Sequence, residues 1–357
     1  MTKVSDLTAK QPRQELSGAD LAAHLAAARA GDQEAFSRLT EPHRYELLAH
    51  CYRMLGSLQD AEDLVQETFL RAWRRLETYA ERASFRAWLY KIATNACLDE
   101  LHQRPKRLLP TTIYPPGDPA EPMGQPVTDP VWLEPFPDEL LAPRDVSPEA
   151  RYDAQESITL AFMIALQLLP PRQRAVLILR DVLDWRAEEV AGLLETTLSA
   201  VNSMLYRARS TLAEHYTSPG KSPIRAAQAD SSALALLDRY VHAWETADID
   251  ALVSLLKEDA TFPMPPSPSW YYGREAIRAF IAATILNGEA RGRWRLLPVN
   301  ANAQPSFAWY RRDESGDTYQ AFAIQVLTLQ GELLADVTTF GIPDLFPYFG
   351  LAPELKV

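Results

Sequence analysis

Five side chains on one stretch of this chain are suited to reading base pairs. Ser199, Asn202, Ser203, Tyr206 and Arg207 share one helical face and offer short or flat hydrogen-bonding groups plus a guanidinium. Such groups reach base edges and phosphates in a major groove. Behind them Leu198, Val201, Leu205, Ala208 and Leu212 recur at intervals of 3 and 4, one apolar stripe for a helix to bury. The preceding stretch, Arg186–Leu194, carries Val190, Leu193 and Leu194 on one face. The pair has the pattern of a helix-turn-helix whose second helix is exposed. Adjacent amphipathic helices are common, so the pattern alone does not require DNA. Glu195 stands in the turn where many such motifs place glycine, which bears on turn strain and helix angle.

Three further clusters carry chemistry. Asp60, Asp63 and Glu67 fall at i, i+3 and i+7 with Gln66 beside them. They read either as a solvated face with acids near a helix N-terminus or as a docking face with electrostatic register. Trp88, Lys91 and Asn95 share a face of Ser84–Gln103, with Arg82 and Arg86 at its entry and Phe85, Leu89, Ile92 and Ala96 pointing inward. Aromatics among cations suit unpaired bases, which stack on rings while phosphates meet the charges; core packing of Trp88 is the alternative. Finally, His242, Asp259 and Asp336 are candidates for acid–base work, with Trp244, Trp270, Tyr272, Trp294 and Trp309 to line a cavity. No spacing joins them into a constellation, so an aromatic core with surface carboxylates is the favoured reading. No catalytic set and no enzymatic activity are expected.

The elements that must position these groups are mostly helical. Residues 18–104 are patterned as helices, with Pro42 their one proline. Residues 105–148 carry twelve prolines, which forbid helix or central strand and predict an extended linker. Trp132 and Phe136 within it suggest a docking surface of its own. Helical pattern resumes over 149–216, broken by a short polar tether, Thr217–Ala229. A last module, 230–346, predicts helices at Ser231–Thr246, Ile249–Leu256 and Gly273–Leu286. Strands follow at Trp294–Val299, Ser306–Tyr310, Tyr319–Thr328 and Leu333–Phe340, an α+β module with a curved antiparallel sheet. Gly316 and Gly331 supply hairpin turns.

The chain has 357 residues, room for two or three domains, and a net charge of −11. That charge alone argues against nucleic acid, but its distribution does not. Residues 66–107 hold nine Lys/Arg against five Asp/Glu, whereas 108–150 hold one Arg against eight acids. Two cysteines, Cys51 and Cys97, lack metal-ligand spacing, so no zinc site or cofactor is expected and a reducing cytoplasm fits. No secretory leader or membrane span is read.

The stretches DAEDLVQETF, SFRAWLYKIATNACLDEL, LLPPRQRAVLILR and AVNSMLYRARSTL, in that order, resemble the sigma-70 family. They are closest in kind to its extracytoplasmic-function group of the SigJ/SigG type. That resemblance implies a multidomain chain of two all-α sigma domains, an acidic linker and a C-terminal SnoaL-like, NTF2-like α+β cone. It implies that Asp60, Asp63, Gln66 and Glu67 meet the β′ clamp helices of core RNA polymerase. It places Arg82, Phe85, Arg86, Trp88, Lys91 and Asn95 at the melted −10 element of promoter DNA. Ser199, Asn202, Ser203, Tyr206 and Arg207 fall at the −35 element, with the β flap as a further partner. The linker corresponds to the segment that threads the polymerase toward its active-site and RNA-exit channels. The cone is supported by Phe262-Pro-Met-Pro-Pro266, Trp270-Tyr-Tyr-Gly-Arg274 and Ala301-Asn-Ala-Gln-Pro305; the DGGG stretch of some groups is absent. The expected role of the cone is to regulate the sigma domains by intramolecular contact. Alternatives are a ligand-responsive helix-turn-helix regulator and a cyclase or isomerase fused to a DNA-binding region.

Overall fold

The computed structural model describes residues 18–80, 83–103, 106–127, 132–141, 155–216 and 231–356. Arg82 and the tether Thr217–Ala229 lie outside the described residues. The chain forms two compact units. Among the described residues, one holds those from 18 to 107 and from 140 to 216; the other holds those from 108 to 139 and from 231 to 356.

The first unit is all-α. Its helices are α1 (Gly18–Arg29), α2 (Gln33–Thr40), α3 (Arg44–Leu55), α4 (Leu58–Arg74), α5 (Phe85–Gln103), α6 (Leu160–Leu168), α7 (Pro171–Leu177), α8 (Ala187–Leu193) and α9 (Leu198–His215). Local chemistry sets the breaks. The Asp32 carboxylate caps α2 by accepting from the amides of Glu34 and Ala35. Gly56, at φ 74°, ends α3 in the left-handed region, and the Ser57 hydroxyl accepts from Asp60 N–H to start α4. Ala61, Val65, Thr68 and Ala72 of α4 are buried, as their spacing predicts; Phe69 and Trp73 are half-buried.

Buried cations, solvated by carbonyl oxygens, tie the residues around α6 and α7 to the end of α3. Arg174 is 1% exposed. Its guanidinium donates to Met54 O, to Gln167 Oε1 at 2.6 Å, to Gln167 O at 3.0 Å and to Leu169 O at 3.3 Å. Burial lowers its pKa to about 10, so it stays charged at neutral pH. Arg53 donates to Ser157 Oγ at 2.8 Å. Cys51 and Cys97 are buried and free.

The second unit contains α10 (Ser231–Thr246), α11 (Ile249–Ser254) and α12 (Arg274–Phe280) against a mixed sheet. Its strands are β1 (Leu256–Pro263), β2 (Trp270–Tyr272), β3 (Trp294–Ala301), β4 (Gln304–Arg312), β5 (Thr318–Gln330), β6 (Leu333–Phe340) and β7 (Glu354–Lys356). The strand order is β2-β1-β6-β5-β4-β3, with β7 on β5. The expected sheet was wholly antiparallel, but β1 pairs with β6 in parallel. Leu256 was expected to close a helix; it opens β1 instead. The module also runs past its expected end at 346, because β7 completes the sheet. Trp244, Trp309, Tyr240 and Phe262 lie in the core beneath the sheet.

The linker departs most from expectation. It has no long regular element, as its prolines require, but its described residues pack on the cone rather than forming a free spacer. Gly117 N–H donates to Trp270 O at 2.8 Å, and Val127 N–H to Pro266 O at 3.0 Å. Phe136 N–H donates to Asn302 Oδ1 at 2.8 Å, and Asn302 N–H returns a bond to Phe136 O at 2.9 Å. Trp132, Leu133 and Phe136 are buried. Asn302 and Ala303, both at φ 54°, make the β3–β4 turn that receives them. Ala303 N–H also donates to Asp138 Oδ1 at 2.7 Å.

Replacing Arg174 with Met would strand three buried carbonyls. We expect a loss of about 3 kcal/mol in urea unfolding of the helical unit, with an unchanged slope. Asp138 gives a pH test. Burial raises its pKa from 3.8 to about 7, against the pull of the Ala303 amide. Protonation thus favours the seated linker; the advantage is full below 3.8 and is lost as pH rises through about 7. Amide protection factors at Asn302 and Ala303 should fall between about pH 4 and 7 and level off above, and Asp138→Asn should flatten that fall.

Candidate nucleic-acid interface

The Thr197 hydroxyl caps α9 by accepting from Ala200 N–H at 3.1 Å. Val201, Leu205 and Ala208 are buried, so the apolar stripe faces inward as predicted. Leu198 does not: at 42% exposed, it precedes the part of the helix that is covered. Ser199, Asn202, Ser203, Tyr206 and Arg207 are all exposed, and Tyr206 is 77% exposed. Arg207 Nη2 donates to Ser203 Oγ at 2.8 Å, one turn away, which orients the guanidinium on that face.

Helix α5 buries Phe85, Leu89, Ile92 and Ala96. Phe85 thus faces inward, as its spacing predicts. It packs edge-on against Tyr79 at 5.5 Å and beside Trp88 at 5.6 Å, so it supports Trp88 from behind. Trp88 is half-buried, and Asn95 is exposed. The cations are engaged within the chain. Arg86 Nε donates to Glu46 Oε2 at 2.9 Å, and its guanidinium lies 4.9 Å from the Tyr90 ring centroid and 5.9 Å from that of Trp185. Lys91 Nζ pairs with Glu195 at 2.9 Å. Glu195 sits at φ 50°, a left-handed conformation that glycine would adopt without strain. Lys91 lowers the pKa of its carboxyl by hydrogen bonding and by charge. Trp185 also packs on Tyr90, ring centroids 5.2 Å apart.

On α4, Asp63 and Gln66 are exposed, and Glu67 pairs with Arg71 at 2.7 Å. Asp60 departs from the outward acidic edge. Its carboxylate pairs with Arg107 at 2.6 Å, and the two side chains are 18% and 12% exposed.

The acid–base candidates are not brought together. His242 is exposed, Asp259 pairs with Lys257 at 3.1 Å, and Asp336 accepts from the Thr261 and Thr338 hydroxyls. None lines the cone's cavity. Trp270 is spent on the linker, its Nε1 donating to Tyr114 O at 2.8 Å. Among the described residues no group of His, Cys, Asp and Glu is placed to hold a metal ion, and no helix is long and apolar enough to cross a membrane. Sequence reasoning missed Glu46, Trp185 and Arg107, whose partners lie far away along the chain. Asn302 was visible within the Ala301–Pro305 stretch, but not as the seat of the linker.

An exposed polar helix on a helix-turn-helix, preceded by a helical domain, is the architecture of a sigma factor. Residues 39–107 match Sigma-70 region 2, residues 160–212 match Sigma-70, region 4, and residues 237–337 match the SnoaL-like domain. The chain is 46% identical over 322 residues to the ECF RNA polymerase sigma factor SigG of Mycobacterium tuberculosis, covering 90% of this chain and 85% of that one. It is 30% identical to SigJ of the same organism, over 62% of each chain. The crystal structure of SigJ shares its fold, with a TM-score of 0.56 at 23% identity, covering 90% of this chain and 100% of that one. The chain belongs to the extracytoplasmic-function RNA polymerase sigma factors, and its function is to direct transcription initiation.

The Lys91–Glu195 pair is exposed enough to be weak. Glu195→Gln should raise the rate at which Lys91 reacts with an amine-acetylating reagent by about two- to threefold. Peptide mass spectrometry reads this directly, and an unchanged rate would refute the pairing.

Proposed function

We propose that the cone regulates this sigma factor by holding its linker. The observation that carries the reading is the exchange of hydrogen bonds between Phe136 and Asn302. Residues seated there cannot at the same time thread the polymerase toward its active-site and RNA-exit channels. Their acids suit such a channel, which is built for nucleic acid and whose charge they imitate. Release from the cone thus precedes or accompanies assembly with core polymerase.

On this reading Asp63, Gln66 and Glu67 face the β′ clamp helices, while Asp60, held by Arg107, fixes the start of their helix. Trp88, Arg86, Lys91 and Asn95 meet the melted −10 strand, with Arg82 beside them in sequence. Arg86 and Lys91 must first leave Trp185 and Glu195. Phosphates compete best at the exposed Lys91–Glu195 pair, while Arg86 must also give up Glu46. Ser199, Asn202, Ser203, Tyr206 and Arg207 read the −35 element, and the domain that carries them meets the β flap.

Transcription in vitro with core polymerase tests both parts. Arg207→Ala should weaken transcription from a cognate promoter by roughly tenfold, the effect of losing one base-directed contact. Asn302→Ala should raise transcription, because Phe136 loses its acceptor and the linker is released more readily. Equal or lower output from Asn302→Ala, in a protein with an unaltered circular dichroism spectrum, would sink the linker-release reading.

A further inference from the structure

We propose that Asp181 is a positioning residue for promoter reading: it holds the Arg209 guanidinium so that its free side meets a DNA backbone phosphate at the wall of the groove that α9 enters. The proposal rests on the reading of α9 as the −35 helix and extends it to residues outside the base-directed set.

Arg209 belongs to the exposed side of α9. Asn202, Tyr206 and Arg209 follow one another at intervals of 4 and 3, and all three are exposed. In a helix-turn-helix the first turns of the second helix meet base edges. Arg209 stands about two turns beyond Asn202, next to the buried Ala208. A long cation there passes the base edges and reaches the phosphates that flank them.

The side chain is held in place. Arg209 Nε donates to Asp181 Oδ2 at 2.8 Å, and Arg209 Nη2 donates to Asp181 Oδ1 at 2.7 Å. Two parallel bonds of this kind fix the plane of a guanidinium. They use one edge of it and leave the N–H groups of Nη1 open to a further acceptor. Arg207, by contrast, leans on the neutral hydroxyl of Ser203. An unbraced arginine loses much rotamer freedom when DNA fixes it. For Arg209 the fold has already imposed that loss.

The backbone that carries Asp181 is specialised. Ile178–Val182 form a π-helical turn, in which Leu183 N–H reaches back to Ile178 O at 3.0 Å. Such a turn widens the helix locally and re-aims the side chains on it. Buried Ile178 and Leu179 anchor its inner side, and Trp185 N–H donates to Leu179 O at 2.9 Å. The Asp181 side chain is 29% exposed against 58% for Arg209. The carboxylate is thus the sheltered member and the guanidinium the one that DNA can reach. A pair so exposed adds little to stability, which leaves orientation as its contribution.

The test is equilibrium promoter binding by the full chain assembled with core polymerase, followed across a potassium chloride series. Arg209→Ala should weaken binding about fivefold and lower the slope of log affinity against log salt by about one, as expected for one lost phosphate contact. Arg209→Lys should keep the slope but lose about threefold, because an ammonium cannot grip both carboxylate oxygens and face a phosphate in a fixed plane. Asp181→Asn should lose about threefold without lowering the slope, and should add nothing in the Arg209→Ala background. A pair that only braces the fold would lower the melting temperature and leave the slope alone. The proposal is overturned by an unchanged slope in Arg209→Ala, by binding in Asp181→Asn as tight as in the unsubstituted chain, or by losses that add in the double variant. If Arg209→Ala does not fold, Arg209→Lys decides, and full affinity there rejects the positioning role. Failure here while Arg207→Ala still weakens transcription leaves the −35 reading intact. If neither Arg207→Ala nor Arg209→Ala has an effect, both fall together.

Discussion

The structure around the cone depends on the reciprocal hydrogen bonding of Phe136 and Asn302. A proline-rich segment has few backbone donors to offer. Each donor it keeps therefore counts for more, and Gly117, Gly124, Val127 and Phe136 all direct theirs into the cone. Buried rings at Trp132 and Phe136 supply the apolar contact, while the amides set the register. The left-handed turn at Asn302 and Ala303 makes this geometry available. Its chemistry resembles the joining of two strands, achieved by a chain that cannot form one.

The helical unit solves a different problem. Arg174 and Arg53 are buried, yet both donate largely to carbonyl and hydroxyl oxygens rather than to carboxylates. Placing a charge there is costly unless its donors are satisfied, and the ends of α3 and α6 supply the acceptors. That junction is firm. The contacts of Arg86 and Lys91 with Trp185 and Glu195 are not of this kind, since they are partly exposed and screened by salt. One unit thus combines a joint that resists separation with a surface contact that competing ions can weaken.

The sequence made the helical periodicities of α4, α5 and α9 legible, because an apolar stripe needs only its own spacing. It made the exposed polar face of α9 legible for the same reason. Periodicity did not reveal what lies opposite. Asp60 belongs to an acidic edge by spacing and to Arg107 by geometry. Phe85 shares a stretch with base-contacting candidates but is enclosed by Tyr79 and Trp88. Strands β1, β2 and β7 went unread because two are only three residues long and the first carries charges within it. The linker's seat was invisible, since its partners lie well over a hundred residues away. His242, Asp259 and Asp336 are residue types that could do acid–base chemistry, and geometry keeps them apart, in line with the favoured non-catalytic reading.

Glu195 carries one more consequence. A glycine there would relax the turn but would offer Lys91 no carboxylate, so the two demands on this position conflict. Glu195 precedes α9, and exchanging it leaves the exposed Ser199, Asn202, Ser203, Tyr206 and Arg207 unchanged. Variation at this one position therefore trades backbone relaxation against the carboxylate that Lys91 meets.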